Sequence, residues 1–373
     1  MFIFVEIIEQ ISTNNSKYLI MEKIILESHN LKNRTTGFGV FNYELIKAIS
    51  KLEFNEDVYL IAKNVNELQQ EFGSKFNYIK YYNFMRMKLF HIKRNNIDVW
   101  HSLNQNISVE PFLKPKKYIL TIHDVNFAEE NTSDFNKKRT DFFSEKLNRA
   151  DYITYISNYA KQQTEKYFDA SGIENKVIYN GNSISERLDL TNFKPRIEIN
   201  SPFFFTISAF IEKKNFESLI RIMPFYPNHK LVISGNNNNE YGLKIKKMIT
   251  DMKLDNKVIL TNKISEIEKQ YYMQNCEAFL FPSIGEGFGL PPLEAMSFGK
   301  PIVLSNKTSL PEVGGDDAFY WDNFDPEYMV DVLNKSLDKY NSDKDFYTNK
   351  FIERSKKFDW EKSAKDYFDV YKL

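Results

Sequence analysis

From residue 22 onward, short β-branched apolar runs alternate with longer stretches whose apolar positions recur at helical spacing. This is the pattern of parallel strands joined by crossover helices. The first half predicts strands at "KIILES", "DVYLIA", "IDVWHS", "YILTIHD", "YITYIS" and "KVIYNG", and the second at "FFFTIS", "HKLVISG", "KVILTN", "EAFLFPS" and "KPIVLSN". Between the two sets, "NSISERLDLTNFKPRIEINSP" is polar, proline-bearing and without a clean period, and reads as an interdomain linker over about residues 182–201. Each half then makes its own open α/β sheet. Two such sheets leave a cleft between them, and ligands of this architecture sit at the carboxyl ends of strands.

Length agrees with two domains, since 373 residues exceed the roughly 250 to 300 at which one core stops growing. Lysine plus arginine and aspartate plus glutamate each total 50, so the overall balance points to neither nucleic acid nor a strongly acidic partner. A single cysteine, Cys276, excludes an internal disulfide and a CxxC metal cluster and fits a reducing, cytoplasmic setting. No run approaches the roughly 20 apolar residues needed to span a bilayer. The leader "MFIFVEIIEQISTNNSKYLI" is broken by Glu6 and Glu9 and has no basic region before it, so it does not read as a signal peptide. An extra helix, a membrane or oligomer contact and an accident of start-site choice stay open for it.

The densest chemistry lies in "GEGFGLPPLEAMSFGKPIVLSN", residues 285–306. A strand precedes this turn, and Pro291 and Pro292 suit the first turn of the helix that follows, where missing N–H groups cost little. Gly285, Gly287 and Gly289 let the backbone bend and a ligand come close. The backbone amides of Phe288, Gly289 and Leu290 and the positive end of the helix offer a place for phosphate. Glu286 in the turn and Glu294 in the first helical turn can accept from vicinal sugar or ribose hydroxyls.

The stretch "PSIGEGFGLPPLEAMSFGKPIVLSN", followed by "TSLPEVGGDDAFYWD", resembles the signature of the retaining glycosyltransferases of family 4, with their E-x7-E glutamate pair. Further agreements follow in order: "TGFGVFNYEL", "LTIHDVNF", "YISNYAK", "YNGNSI" and "EKKNFESLI". The resemblance implies the GT-B arrangement, two Rossmann-like parallel-sheet domains facing a central cleft. An N-terminal acceptor-side domain of residues 1–190 would be joined by a C-terminal helix, 358–373, crossing back to it, and residues 191–357 would bind the nucleotide sugar. It also implies site residues. Glu294 would hold the ribose hydroxyls of the donor and Glu286 hydroxyls of the transferred sugar. Lys213 and Lys214 stand where many members carry Arg-Lys against the donor diphosphate, and lysine neutralises phosphate as a point charge without the bidentate fork. Gly37 and Gly39 correspond to a loop facing diphosphate and acceptor, His123 to a histidine near the transferred sugar, and Ser157 and Asn180 to positions lining the cleft.

The chemistry expected of such a site is stabilisation of the leaving diphosphate by Lys214, the helix N-terminus and the loop amides, with neither metal nor cofactor. The family's retention of configuration by front-face attack requires no enzymic nucleophile. Two glycosidase carboxylates would instead flank the scissile bond.

Blander readings stand beside these. A histidine is usually structural, and His29, His91, His101 and His229 show no ligand spacing; His101, like His123, ends a strand in the cleft-forming half. Cys276 reads as packing. Asp343 and Asp345 in "SDKDF" lack the preceding strand of a metal-binding D-x-D. The segment "FMRMKLFHIKRNN", residues 84–96, fits equally a basic amphipathic helix resting on an anionic membrane and a surface helix packed on the sheet.

The expected activity is therefore that of a retaining, metal-independent hexosyltransferase. It would use a nucleotide diphosphate sugar, with a lean to GDP-mannose that no single residue argues, and a glycan or lipid-linked glycan acceptor in surface polysaccharide synthesis. The cytoplasm, with a peripheral contact at the inner face of the membrane, is its expected place. A non-catalytic nucleotide-sugar-binding protein and a GT-B epimerase are the alternatives.

Overall fold

The computed structural model describes residues 22–34, 36–92, 96–129, 134–184 and 186–373. The leader, and part of the 84–96 segment, lie outside the described residues.

Two parallel sheets form. The first contains β1 (Lys23–Glu27), β2 (Asp57–Ala62), β3 (Asn77–Lys80), β4 (Val99–Ser102), β5 (Lys117–Ile122), β6 (Tyr152–Tyr155) and β7 (Glu174–Val177), in the spatial order β3-β2-β1-β4-β5-β6-β7. The second contains β8 (Phe203–Ile207), β9 (Lys230–Ser234), β10 (Val258–Asn262), β11 (Ala278–Phe281), β12 (Ile302–Ser305) and β13 (Phe319–Trp321), in the order β10-β9-β8-β11-β12-β13. Central strands such as β4 and β11 are buried along their whole length, because helices cover both faces of a parallel sheet. The predicted strands all appear, with "KVIYNG" realised two residues early as β7. Two edge strands, β3 and β13, were not predicted: β3 is four residues long with polar, exposed ends, and β13, although apolar, is only three residues long.

Five helices position the candidate site: α1 (Gly37–Ser50), α2 (Asn158–Tyr167), α3 (Glu266–Asn275), α4 (Leu290–Met296) and α5 (Trp360–Lys372). α1 is capped by Thr36, whose hydroxyl accepts from the Gly39 N–H. It buries Phe41, Leu45, Ile46 and Ile49 against the first sheet. α5 is capped by Asp359 and buries Trp360, Ala364, Tyr367, Phe368 and Tyr371, a single stripe at spacings of three and four.

That stripe returns the chain to the N-terminal domain. Phe41 meets Trp360 and Tyr367 at ring distances of 5.8 and 6.2 Å. Nδ1 of His101 lies 2.8 Å from the Tyr371 hydroxyl, and its Nε2 lies 2.7 Å from Thr121 Oγ1. Burial depresses the His101 pKa to about 3, so this histidine is a neutral packing group. The two passages between domains run side by side: the Asn182 N–H donates to the Phe358 carbonyl at 3.0 Å, and a Cβ on Gly181 would come within 2.2 Å of the Trp360 nitrogen. Between β7 and β8 the described residues form neither helix nor strand.

The 84–96 segment is not a single helix. It makes two 3-10 turns, Asn83–Arg86 and Lys88–Phe90, and several of its apolar side chains face outward. Cys276 is buried, and its thiol contacts the Met273 carbonyl at 3.4 Å. Asp343 caps the helix Lys344–Lys356.

Candidate functional site

The loop from Gly285 to Gly289 leaves β11 at its carboxyl end and enters α4. Gly289 sits at φ 116°, a conformation closed to most side chains, which turns the chain into the helix. The Ser309 hydroxyl donates to the carbonyls of Phe288 and Glu286 at 2.8 and 3.2 Å, and the Glu286 N–H donates to Thr308 Oγ1 at 3.3 Å. The loop is thus tied down on both sides before any ligand is present.

Lys214 approaches it from the 3-10 turn after β8. The Lys213 carbonyl accepts from the Ile284 N–H at 2.8 Å and from the Ser283 hydroxyl at 3.2 Å, which locks the two loops together. The Lys214 ammonium pairs with the Glu286 carboxylate, both nearly enclosed. Lys213 is only half-buried, and its aliphatic stem rests against Gly285.

Glu294 differs from expectation. It is the fifth residue of α4, past the first turn rather than in it, and it is buried. Its carboxylate bonds the Lys269 ammonium at 2.9 Å, and Lys269 in turn reaches Glu266 at 2.9 Å. Burial raises the Glu294 pKa, with Lys269 pulling against it. For Lys269, burial acts downward, but the two carboxylates prevail and hold it above its ordinary value. Glu44, on α1 across the domain boundary, is also raised, first by its own burial and then in part by the charge of Glu294. Lys269 escaped the sequence reading because it lies in an amphipathic helix whose charge pattern looks like a solvated face.

From the N-terminal domain, His123 follows β5. Its Nε2 donates to the Leu103 carbonyl at 2.9 Å, and Phe38 and Phe41 flank the ring edge-on at 4.8 and 4.6 Å. Burial lowers its pKa to about 4, so the ring is neutral at pH 7, with Nδ1 as the acceptor nitrogen. A Cβ on Gly287 would stand 2.2 Å from the His123 carbonyl oxygen, so the two domains meet backbone to backbone here. Gly39 is equally constrained, since a Cβ there would meet the Asn33 carbonyl at 1.8 Å, whereas Gly37 at the start of α1 faces open space.

Ser157 is fully buried behind the glycine loop. Its hydroxyl donates to the Gly287 carbonyl at 2.7 Å and accepts from the Ala160 N–H at 3.0 Å. Asn180 is buried with its Oδ1 lacking a hydrogen-bond partner, an acceptor that a bound hydroxyl or water would satisfy. Glu312, which the sequence reading passed over inside "SLPEVGG", crosses the cleft. Its two oxygens accept from the Asn158 and Tyr159 N–H groups at 2.7 and 2.5 Å and from the Tyr179 hydroxyl at 3.1 Å. An acidic residue beside a glycine pair was the available signal. Below it, the rings of Tyr179, Phe288 and Phe358 pack together at 5.6 to 6.2 Å.

The structure therefore brings Lys214 and Glu286 into contact, places His123 against Gly287, and turns Glu294 toward Lys269. Among the described residues, no group of three or more His, Cys, Asp or Glu side chains is arranged to hold a metal ion. No helix among them is long and apolar enough to cross a membrane.

Known proteins share this architecture. A sucrose-phosphate synthase from Thermosynechococcus elongatus superposes with a TM-score of 0.70 at 16% identity, over 94% of this chain and 98% of that one. Anabaena Alr3699/HepE in complex with UDP-glucose gives 0.69 at 15% identity, over 94% and 99%. These likenesses establish the fold as GT-B. In sequence, the chain is 27% identical over 288 residues to the serotype-specific mannosyltransferase WbdA of Escherichia coli, which covers 71% of this chain. It spans about a third of the length of that relative, 34%. Residues 189–353, the stretch that carries Lys214, Lys269, Glu286 and Glu294, match the family model described as glycosyl transferases group 1.

Proposed function

We propose that the chain is a retaining, metal-independent glycosyltransferase that moves a hexose from a nucleotide diphosphate sugar to a glycan or lipid-linked glycan during surface polysaccharide synthesis. The observation that carries this reading is the enclosed Lys214–Glu286 pair beside the glycine loop. A nearly buried ion pair at the carboxyl edge of a sheet adds little to stability for its desolvation cost. It suits a site where each partner has a ligand to take.

On donor binding, Lys214 would exchange the Glu286 carboxylate for the diphosphate, whose negative charge grows as the anomeric bond breaks. Glu286 would then be released to accept from hydroxyls of the transferred sugar, and Glu294, held by Lys269, would accept from the ribose. The half-buried Lys213, the amides of Phe288, Gly289 and Leu290 and the backbone at Gly37 and Gly39 would adjoin the phosphates. The neutral His123 would accept a hydrogen bond from a sugar hydroxyl through Nδ1. The leaving phosphate would take the acceptor's proton, so that attack occurs on the face from which it departs.

Mannose is the favoured sugar because WbdA carries a mannosyltransferase name. GDP-mannose is thus the first donor to test. The experiment is thermal stabilisation by a panel of UDP, GDP and dTDP sugars, followed by nucleotide diphosphate release with and without acceptor. Stabilisation by one donor, with slow release that acceptor accelerates and EDTA leaves intact, is the expected result. Binding without release would identify a non-catalytic binding protein. Activity lost to EDTA and restored by manganese would overturn metal independence.

A further inference from the structure

Residues 72–97 contain six lysines or arginines and no aspartate or glutamate, in a chain whose charges balance overall at 50 against 50. The same region holds the densest outward display of large apolar side chains. Of the sixteen exposed large apolar residues among those described, seven fall between residues 82 and 113. Phe84, Leu89 and Phe90 belong to the two 3-10 turns after β3, which Tyr82 and Met87 flank, and Leu89 is 71% exposed. Phe112 and Leu113 join them because Ile92 bridges to Pro111, and the Phe112 N–H donates to the Ile92 carbonyl at 3.0 Å.

The rings support one another rather than folding inward. Tyr82 stacks on Phe84 at 5.3 Å, and Phe84 meets Phe90 at 5.3 Å. Cations border the patch: Lys80 lies 5.6 Å from the Tyr82 ring centre, and Lys32 and Arg86 lie 5.7 and 6.0 Å from that of Tyr81. The Lys32 pKa is lowered, first by burial and then by the neighbouring positive charges of Arg86 and Lys63. Such a gathering of like charges favours an anion as its counterpart.

We infer that the turns after β3, with Phe112 and Leu113 and the cations Lys32, Lys63, Lys80 and Arg86, form a docking surface for an anionic phospholipid bilayer. The charge argues for the occupant. A protein partner of ordinary composition would not call for an acid-free stretch of this length, whereas outward apolar tips bordered by lysine and arginine match the boundary between acyl chains and phosphate headgroups. The location suits the proposed function, on which the choice of a lipid-linked acceptor rests. In a parallel sheet all strands end on one edge, so the turns after β3 share an edge with His123 after β5. An acceptor held in the bilayer would thereby be presented near the cleft.

The test is co-sedimentation of the full chain with sucrose-loaded vesicles of phosphatidylcholine, with or without phosphatidylglycerol. Binding is expected only to the anionic vesicles and should weaken as salt rises. The Lys80→Gln/Arg86→Gln double variant should bind about 25-fold more weakly, roughly five-fold for each cation removed at such a surface. The Met87→Ser/Leu89→Ser double variant should also lose binding, while Leu243→Ser, an exposed apolar control on the other domain, should not. All of these side chains are exposed, and an unchanged melting temperature confirms folding.

Failure of wild type to sediment, or no effect of Met87→Ser/Leu89→Ser, overturns the proposal. If only the cation variants weaken binding, the site takes soluble anions; if Met87→Ser/Leu89→Ser instead dissolves a dimer in sedimentation velocity, the patch covers a second copy. Stabilisation by a nucleotide sugar, measured on the same samples without vesicles, separates failure of docking from failure of the glycosyltransferase reading.

Discussion

The Lys214 ammonium and the Glu286 carboxylate face each other across two loops of one domain, with side chains only 9% and 13% exposed. Neither charge has ready access to water once the other is removed. Glu286→Ala should therefore lower stability by about 3 kcal/mol, the penalty of an enclosed unpaired charge. A donor diphosphate would supply the missing counter-charge, so thermal shift by donor should be larger in Glu286→Ala than in wild type even though its turnover falls. Lys214→Ala should cost both donor affinity and turnover, the latter by about 100-fold or more, as removal of one stabilising donor does elsewhere. Calorimetry with donor and steady-state rates check both.

Glu294 makes a prediction about pH. Its carboxyl pKa is raised, so protonation begins at a higher pH than for an ordinary carboxylate. Only the ionised form is free to accept from two hydroxyls, so donor affinity should fall as pH drops through that raised value. The sign for stability is opposite. A carboxyl group with a raised pKa in the folded state favours folding at low pH, and that contribution fades as pH rises through its folded value. In Glu294→Gln the acid-side loss of affinity should disappear, with affinity at neutral pH about tenfold weaker, the scale of one charged hydrogen bond. Titration calorimetry over a pH series measures this.

Glu312 and Ser157 bind the domains to each other. Glu312→Ala removes acceptors from two helix-start N–H groups and a tyrosine hydroxyl, and the loss of such a cap costs about 1 kcal/mol. Because these bonds cross the cleft, the larger effect should be on shape. Small-angle scattering of Glu312→Ala should show a larger radius of gyration without donor, and saturating donor should restore much of the compaction. No change in radius would mean that other contacts suffice to hold the cleft closed.

Gly287 tests the backbone meeting with His123. A methyl group there would sit 2.2 Å from the His123 carbonyl oxygen, so Gly287→Ala must push the loop and the other domain apart. Activity should collapse while the melting temperature of the separate domains changes little, because the strain is relieved by opening. Gly37→Ala faces open space and should be far milder, which a parallel assay of both variants would show.

The fold was legible where local patterning and burial agree. Strands such as "AFLF" and "IVLS" are buried throughout, and a continuous apolar run is what a parallel strand covered on both faces must have. The edge strand β3 lacked that signal because an edge needs less burial, and β13, although apolar, is too short to stand out as a run. Glu286 could be singled out from the glycine-rich turn, and Lys214 from the resemblance that "EKKNFESLI" carries. Their mutual ion pair could not, since 72 residues separate them and only the packing of two loops brings them together. Lys269 and Glu312 stayed hidden for a related reason: each is an ordinary charged residue in its own helix and acquires a role only from what another element places opposite. The 84–96 segment misled in the other direction. Its alternation of apolar and basic residues looks helical on paper, whereas the structure breaks it into two short turns.

The adjoining passages at Gly181–Asn182 and Phe358–Trp360 have a mechanical consequence. Two bodies connected by chain at widely spaced points can hardly move apart, but two strands that are themselves bonded act as one compact pivot. Swivelling there would leave Trp360 in place and carry the far rim through the longest arc. Under the proposed function, admission of a glycan acceptor would then need no deformation of either sheet, only a turn about these two bonded strands and release of the bonds that Glu312 and Ser157 make across the cleft.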